Sequence, residues 1–193
     1  AVGLGYLFGL RIPQNFNSPY KALDPSDFWR RWHISLSSCL RDYVYIPLGG
    51  SRRGVGHTYA NLMITMLIGG LWHGANWTFV FWGFYHGALL AVHRRFATTW
   101  DALPSLLRQG GMFFLAMIGW VFFRSDTFTG ALTLLHTMFV PTSGTAMPQA
   151  VSFVSLLVIA AVLAMVGPNA FDLHRDFVLR KRRVAALALA FGA

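Results

Sequence analysis

The chain has 193 residues, 55% hydrophobic, 16% aromatic and only 12% charged, with a mean hydropathy of +0.48. A soluble domain carries about 25% charged residues, so this composition excludes an ordinary soluble globule and points to an integral membrane protein. The net charge is +9, from 16 Lys+Arg against seven acidic residues, all Asp; the basic residues stand in short clusters between apolar runs, as membrane loop charges do, which argues against a nucleic-acid partner.

The single Cys39 excludes an intrachain disulfide framework. Among apolar neighbours it reads as a small packed residue. The chain does not begin with Met and both ends lie inside apolar runs. It is therefore expected to be a fragment of a longer polytopic protein.

A lipid-spanning helix needs about 20 apolar residues. Residues 1–10 fit the tail of one such span. Residues 11–57 differ. "RIPQNFNSPYKAL" is polar and rich in turn formers, and a helix start follows it. Asp24 suits the N-cap, Pro25 the first helical position and Asp27 the acid-favouring first turn. This helix is expected to run to about Arg41, because Pro47 and Gly49-Gly50 stop anything longer. It mixes Phe28, Trp29, Trp32, Ile34, Leu36 and Leu40 with Arg30, Arg31 and Arg41, so the segment reads as interfacial or re-entrant rather than lipid-facing. "GGSRRGVG" at 49–56 lacks the Lys-Ser/Thr ending of a phosphate loop. It reads as a cytoplasmic loop or as a contact for phosphates or acidic headgroups.

Residues 59–72 are apolar but short, and Gly69-Gly70 is expected to interrupt them. Residues 74–92 make a span ending at His93-Arg94-Arg95. Residues 110–123 are short again, between Arg108 and Arg124. Residues 150–167 form a clean span closed by Gly167-Pro168, and 184–193 begin another. Irregular backbone at membrane depth is tolerated where it is buried by protein or lines a watery cavity, so the short runs predict an internal site.

Ionisable groups inside membrane segments are costly and mark function by default. His73 leads, beside the expected glycine break. On a helix continuing from it, Asn76 and Trp77 share its face at i+3 and i+4. His86 follows thirteen residues later, about 140° round such a helix. It therefore reads as a separate, structural imidazole. His33 has Trp29, Arg30, Leu36 and Ser37 as helical neighbours, and both a functional and an interfacial role stay open for it. His57, His93 and His174 stand beside basic residues, and His136 lies in an amphipathic stretch that reads as packing. There is no HExxH, no Cys/His pair at ligand spacing and no Glu, so no metal is expected. GxSxG is absent too, and no His is followed by Asp at the fifth position in the manner of a His-x4-Asp acyltransferase.

The stretches "NFNSPYKALDPSDFWRRWHISLSSCLRDYVYIPLGGSRRG", "NLMITMLIGGLWHGANWTFVFWGFYHG" and "GWVFFRSDTFTGAL" (119–132) resemble the membrane-bound O-acyltransferase family. The likeness is to its bacterial branch that acylates polysaccharides, on the alginate side. It is dense from about residue 11 to 95. It implies an all-α, polytopic fold: a ring of transmembrane and re-entrant helices around a central funnel. Residues 1–193 would be part of one such domain, with 11–57 the interfacial motif segment and 58–95 the catalytic histidine region. It implies a multi-pass protein of the bacterial cytoplasmic membrane, embedded in lipid. It would pass an acetyl group from a thioester such as acetyl-CoA to the hydroxyls of an extracytoplasmic polysaccharide, with periplasmic partner proteins and no bound cofactor. The histidines of "FWRRWHIS" and "LWHG", His33 and His73, map to the tunnel-facing positions. His73 is expected as general base, His33 as the group that orients substrate or stabilises charge. Asn76, Trp77, Trp32, Arg30 and Arg31 are candidate substrate contacts. D-alanine transfer to teichoic acid, and a non-catalytic channel or export subunit, remain alternatives.

Overall fold

The computed structural model describes residues 2–10, 12–140, 150–169 and 171–172, and all regular elements among them are helical. In chain order these are α1 (Val2–Leu7), a 3-10 turn (Pro19–Lys21), α2 (Pro25–Arg31), α3 (Ile34–Leu40) continued by a π-helical turn (Arg41–Tyr45), α4 (Val55–His73), α5 (Trp77–Asp101), α6 (Ser105–Arg124), α7 (Phe128–Phe139) and α8 (Ala150–Val166). The expected span at 184–193 and His174 lie outside the described residues.

The start of α2 follows from local chemistry. Asp24 caps it by accepting from the Asp27 N–H at 2.7 Å, Pro25 fills the first turn, and Asp27 accepts from the Leu23 N–H at 3.2 Å. The Trp100 indole N–H, at the far end of α5, donates to the Leu23 carbonyl at 2.7 Å and fixes this start against α5.

The expected continuation to Arg41 is corrected. The helix stops at Arg31, Trp32 is extended, and His33 takes a left-handed conformation (φ 44°) before α3 begins. The reason is tertiary. The Ile34 N–H, which a continuous helix would bond within itself, donates to the Asn15 carbonyl at 2.9 Å. The Arg31 carbonyl accepts from the Asn17 N–H at 2.9 Å.

α4 and α5 form a close antiparallel hairpin, and here the reading of Gly69-Gly70 is corrected as well. α4 runs through both glycines without interruption. A Cβ on Gly70 would collide with the Phe79 carbonyl, one on Gly83 with the Met66 carbonyl, and one on Gly87 with the Met63 side chain. The glycines are thus contact points that let two helix backbones approach, the small-residue packing typical of membrane helices. The real break is Gly74, whose φ of 156° turns the chain out of α4. Asn76 then caps α5, accepting from the Thr78 N–H at 3.2 Å.

α5 continues past His93-Arg94-Arg95 to Asp101, with a kink at Phe96. α6 begins earlier than its apolar run. Arg108 is neutralised by Asp101 at 2.7 Å, so a charge can sit inside the first turns. α6 is the one described helix long and apolar enough to cross a membrane. It packs on α5 through the Tyr85 hydroxyl, which donates to the Leu115 carbonyl at 2.9 Å.

The core joins Phe28 and Trp29 of α2, Met66 of α4, Trp82 and Leu90 of α5, and Met112 and Ala116 of α6. Thr58, Asn61, Thr65, Thr78 and His86 are buried, whereas Leu156, Leu157, Ile159 and Leu163 of α8 face outward. Polar groups inside and large apolar groups outside suit a chain surrounded by lipid.

Candidate active site

Five parts of the fold converge on one cavity of about 350 Å³. The α2–α3 junction brings Trp32 and His33, and the end of α4 brings His73. α5 adds Trp82, the end of α6 adds Trp120, Phe123 and Arg124, and the 3-10 turn adds Tyr20. That volume lies within the range of ordinary ligand pockets, roughly 300–1,000 Å³. Its walls are aromatic. Apart from Tyr20 and the tryptophan N–H groups, its polar groups are the two imidazoles and the exposed Arg124 guanidinium.

The rings of His33 and His73 stand 6.5 Å apart between centroids, their planes at 64°. Both are half-buried. His73 meets Trp72, Trp82 and Phe123 edge to face, at 4.9, 5.3 and 4.9 Å. Such contacts fix a ring plane without using its nitrogens. His33 lies between Phe16, at 6.1 Å, and Trp72, at 5.9 Å, and its buried Nδ1 has no hydrogen-bond partner among the described residues. Left-handed backbone at a non-glycine residue costs on the order of 1–3 kcal/mol, and such strain concentrates at functional sites. At His33 it throws the side chain back toward the end of α4. Two imidazoles in one aromatic pocket can take a proton and stabilise developing charge.

His86 is elsewhere, as expected, but for a different reason. It is not round the back of the helix that carries His73; it belongs to α5, the return arm of the hairpin. It is 1% exposed, stacked on Phe28 and edge-on to Trp29 and Trp82, one layer behind the cavity wall. Neither ring nitrogen has a hydrogen-bond partner.

The other candidates divide. Trp32 lines the cavity; Arg30, Arg31, Asn76 and Trp77 do not. Arg31 donates to both Asp27 carboxylate oxygens at 3.0 Å, and Arg30 points outward with Asp27 at 3.7 Å. The expectation that Asn76 and Trp77 share a helical face with His73 is corrected, because α4 ends at His73. The Asn76 amide donates to the Asp126 carbonyl at 2.9 Å and ties the α4–α5 turn to the α6–α7 turn. Trp77 is 75% exposed. Tyr20, Trp82, Trp120, Phe123 and Arg124 were missed. The one signal for them was "GWVFFR", aromatic residues closing an apolar run on an arginine.

A second cavity of about 150 Å³ lies across α2, lined by Trp29, Ser37, Arg41, Tyr45, Thr65 and Met66 among others. Its Trp29 packs on Trp82 of the first cavity, centroids 5.6 Å apart. Arg41 holds Asp42 at 2.7 Å and keeps that carboxyl below the usual carboxylate range. Among the described residues no group of three His, Cys, Asp or Glu is placed to hold a metal ion.

A sequence model of the membrane-bound O-acyltransferase family matches residues 1–128. The chain is 51% identical over 142 residues to a probable alginate O-acetylase of Azotobacter vinelandii, covering 72% of this chain and 28% of that protein. It is 47% identical over 142 residues to a peptidoglycan O-acetyltransferase of Helicobacter pylori, covering 72% and 27%. A teichoic acid D-alanyltransferase of Bacillus subtilis is 33% identical over 105 residues, covering 50% and 26%. The chain thus spans less than a third of the length of these relatives.

Proposed function

The chain belongs to the membrane-bound O-acyltransferase family, and on that premise we propose that it moves an acetyl group from a thioester donor to a hydroxyl, with His73 as general base. The observation that carries this reading is the meeting of His33 and His73, distant in sequence, at one aromatic cavity. An alcohol attacks a thioester slowly because its proton must leave as the new bond forms. A neutral imidazole takes that proton. The hydroxyl oxygen bonds to the acyl carbon, and the tetrahedral oxyanion collapses by breaking the C–S bond. The departing thiolate recovers the proton from His73. His33, beside His73 in the pocket, orients the hydroxyl or meets the oxyanion. Trp32 forms part of the wall.

Acetyl transfer is favoured over D-alanyl transfer because identity is 51% and 47% to the two acetylating relatives and 33% to the D-alanyl one. The names of the same relatives support a polysaccharide or peptidoglycan as acceptor; its extracytoplasmic place and the help of periplasmic partner proteins are further parts of the proposal. The full protein would span the bacterial inner membrane several times, its helices ringing a funnel that ends at this cavity. The two cavities set back to back across Trp29 and Trp82 suit a thinned centre of that kind.

The test is His73→Ala in the full-length protein, with polysaccharide O-acetylation measured at matched membrane abundance. Loss of a general base lowers turnover about 10²- to 10⁴-fold. Near-normal acetylation would remove His73 from the reaction.

A further inference from the structure

We propose that Asn15-Phe16-Asn17 is a positioning clamp for His33, with the Asn15 side-chain oxygen as its replaceable element. The proposal rests on the part given to His33 above.

His33 stands at the only left-handed non-glycine position of the described residues besides Ser18. Nothing in a short helix–helix junction holds a non-glycine residue there, and a neighbouring segment does so at three successive residues. The Asn15 carbonyl accepts from the Ile34 N–H at 2.9 Å. The Asn15 Oδ1 accepts from both the Ser35 N–H at 3.0 Å and the Ser35 hydroxyl at 3.1 Å. Phe16 packs edge-on to Trp32 at 4.9 Å and covers the His33 ring at 6.1 Å. The Asn17 N–H donates to the Arg31 carbonyl at 2.9 Å, and the Arg31 guanidinium returns a bond to the Asn17 carbonyl at 3.3 Å. The backbone is therefore held on both sides of His33 and the ring is covered from above. Positive φ persists only where surroundings over-determine it.

Two of these contacts are backbone to backbone and survive any side-chain change. The Oδ1 of Asn15 does not. Its amide nitrogen makes no hydrogen bond among the described residues, so an aspartate, which keeps the acceptor, should replace it. Gln14, next door, bonds only to the Phe16 carbonyl and serves as the control.

The experiment uses membranes carrying the full-length protein, with radiolabelled acetyl-CoA as probe and the host polysaccharide as acceptor. Asn15→Ala is expected to lower kcat about 10-fold with KM for acetyl-CoA little changed, since a displacement of about 1 Å costs up to about 10²-fold. Asn15→Asp should restore kcat to near wild type, and Gln14→Ala should leave it unchanged, all at equal membrane abundance. Three results would overturn the clamp: unchanged kcat in Asn15→Ala, no recovery in Asn15→Asp, or a rise in KM alone. His33→Ala and His73→Ala are run beside them. Full turnover in His33→Ala removes the role the clamp serves and the clamp with it. Full turnover in His73→Ala removes the general base instead.

Discussion

At the scale of single residues, three histidines stand in two kinds of surroundings. His73 and His33 open onto a cavity, while His86 fills a layer of aromatic rings and presents no nitrogen to any partner. Truncating His86 leaves a hole beneath Trp82 without touching the pocket. His86→Ala is expected to destabilise the fold by about 1–3 kcal/mol, read as a lower unfolding temperature in detergent. Turnover per folded molecule should stay within roughly threefold, since typical general-base losses exceed about 10²-fold. A loss as deep as that of His73→Ala in folded protein would make His86 part of the reaction. "RRWHIS" and "LWHG" singled out His33 and His73 by their resemblance to a family, and the structure places both at one cavity and His86 outside it. The walls were not legible: Tyr20, Trp82 and the Trp120–Phe123 pair come from three separate stretches and become neighbours only when the helices pack.

At the scale of elements, the hairpin of α4 and α5 governs where His73 lies, and glycines govern the hairpin. A methyl added at Gly83 meets the backbone of Met66 and Leu67, which cannot rotate aside. Gly83→Ala is therefore expected to cost about 1–3 kcal/mol, lowering the melting temperature and O-acetylation together. Gly110, inside α6, has nothing within 4 Å of an added methyl. There Gly→Ala should stabilise by roughly 0.5–1 kcal/mol through helix propensity. Equal melting shifts of one sign for both variants would contradict this account of the packing. The start of α2 was readable because Asp24, Pro25 and Asp27 act within one turn. Its end was not, because the partner of the Ile34 N–H is Asn15, outside any local window. Gly69-Gly70 were misread for a related reason. Sequence shows their backbone freedom and hides the neighbouring helix that needs their small size.

At the scale of the whole molecule, the hairpin sorts charge. Arg52 and Arg53 precede α4, and Arg94 and Arg95 stand near the end of antiparallel α5, so these four cations gather at the end remote from His73. Basic loops stay cytoplasmic. This end is accordingly expected to face the cytoplasm. Cys39, the single cysteine of the chain, is exposed rather than packed as its apolar neighbours suggested. In a Cys39→Ser background, Ser51→Cys should react with a membrane-impermeant maleimide only after spheroplasts are permeabilised; equal labelling of intact spheroplasts would invert the orientation.

The loop that seats His33 also has a place in time. Asn17 accepts from the Asn169 amide at 3.0 Å, and the same amide reaches the Ser18 hydroxyl at 3.1 Å. Gln109 spans the Tyr20 and Met165 carbonyls at 3.1 Å each. Synthesis runs from the N-terminus at about 5–20 residues per second. Both histidines and most of the cavity wall are therefore translated well before the last ties of the loop exist. A nascent chain halted after α7 holds His33 and His73 but lacks Met165 and Asn169, the far partners of these ties. These outer ties of the loop can form only after Met165 and Asn169 have been made.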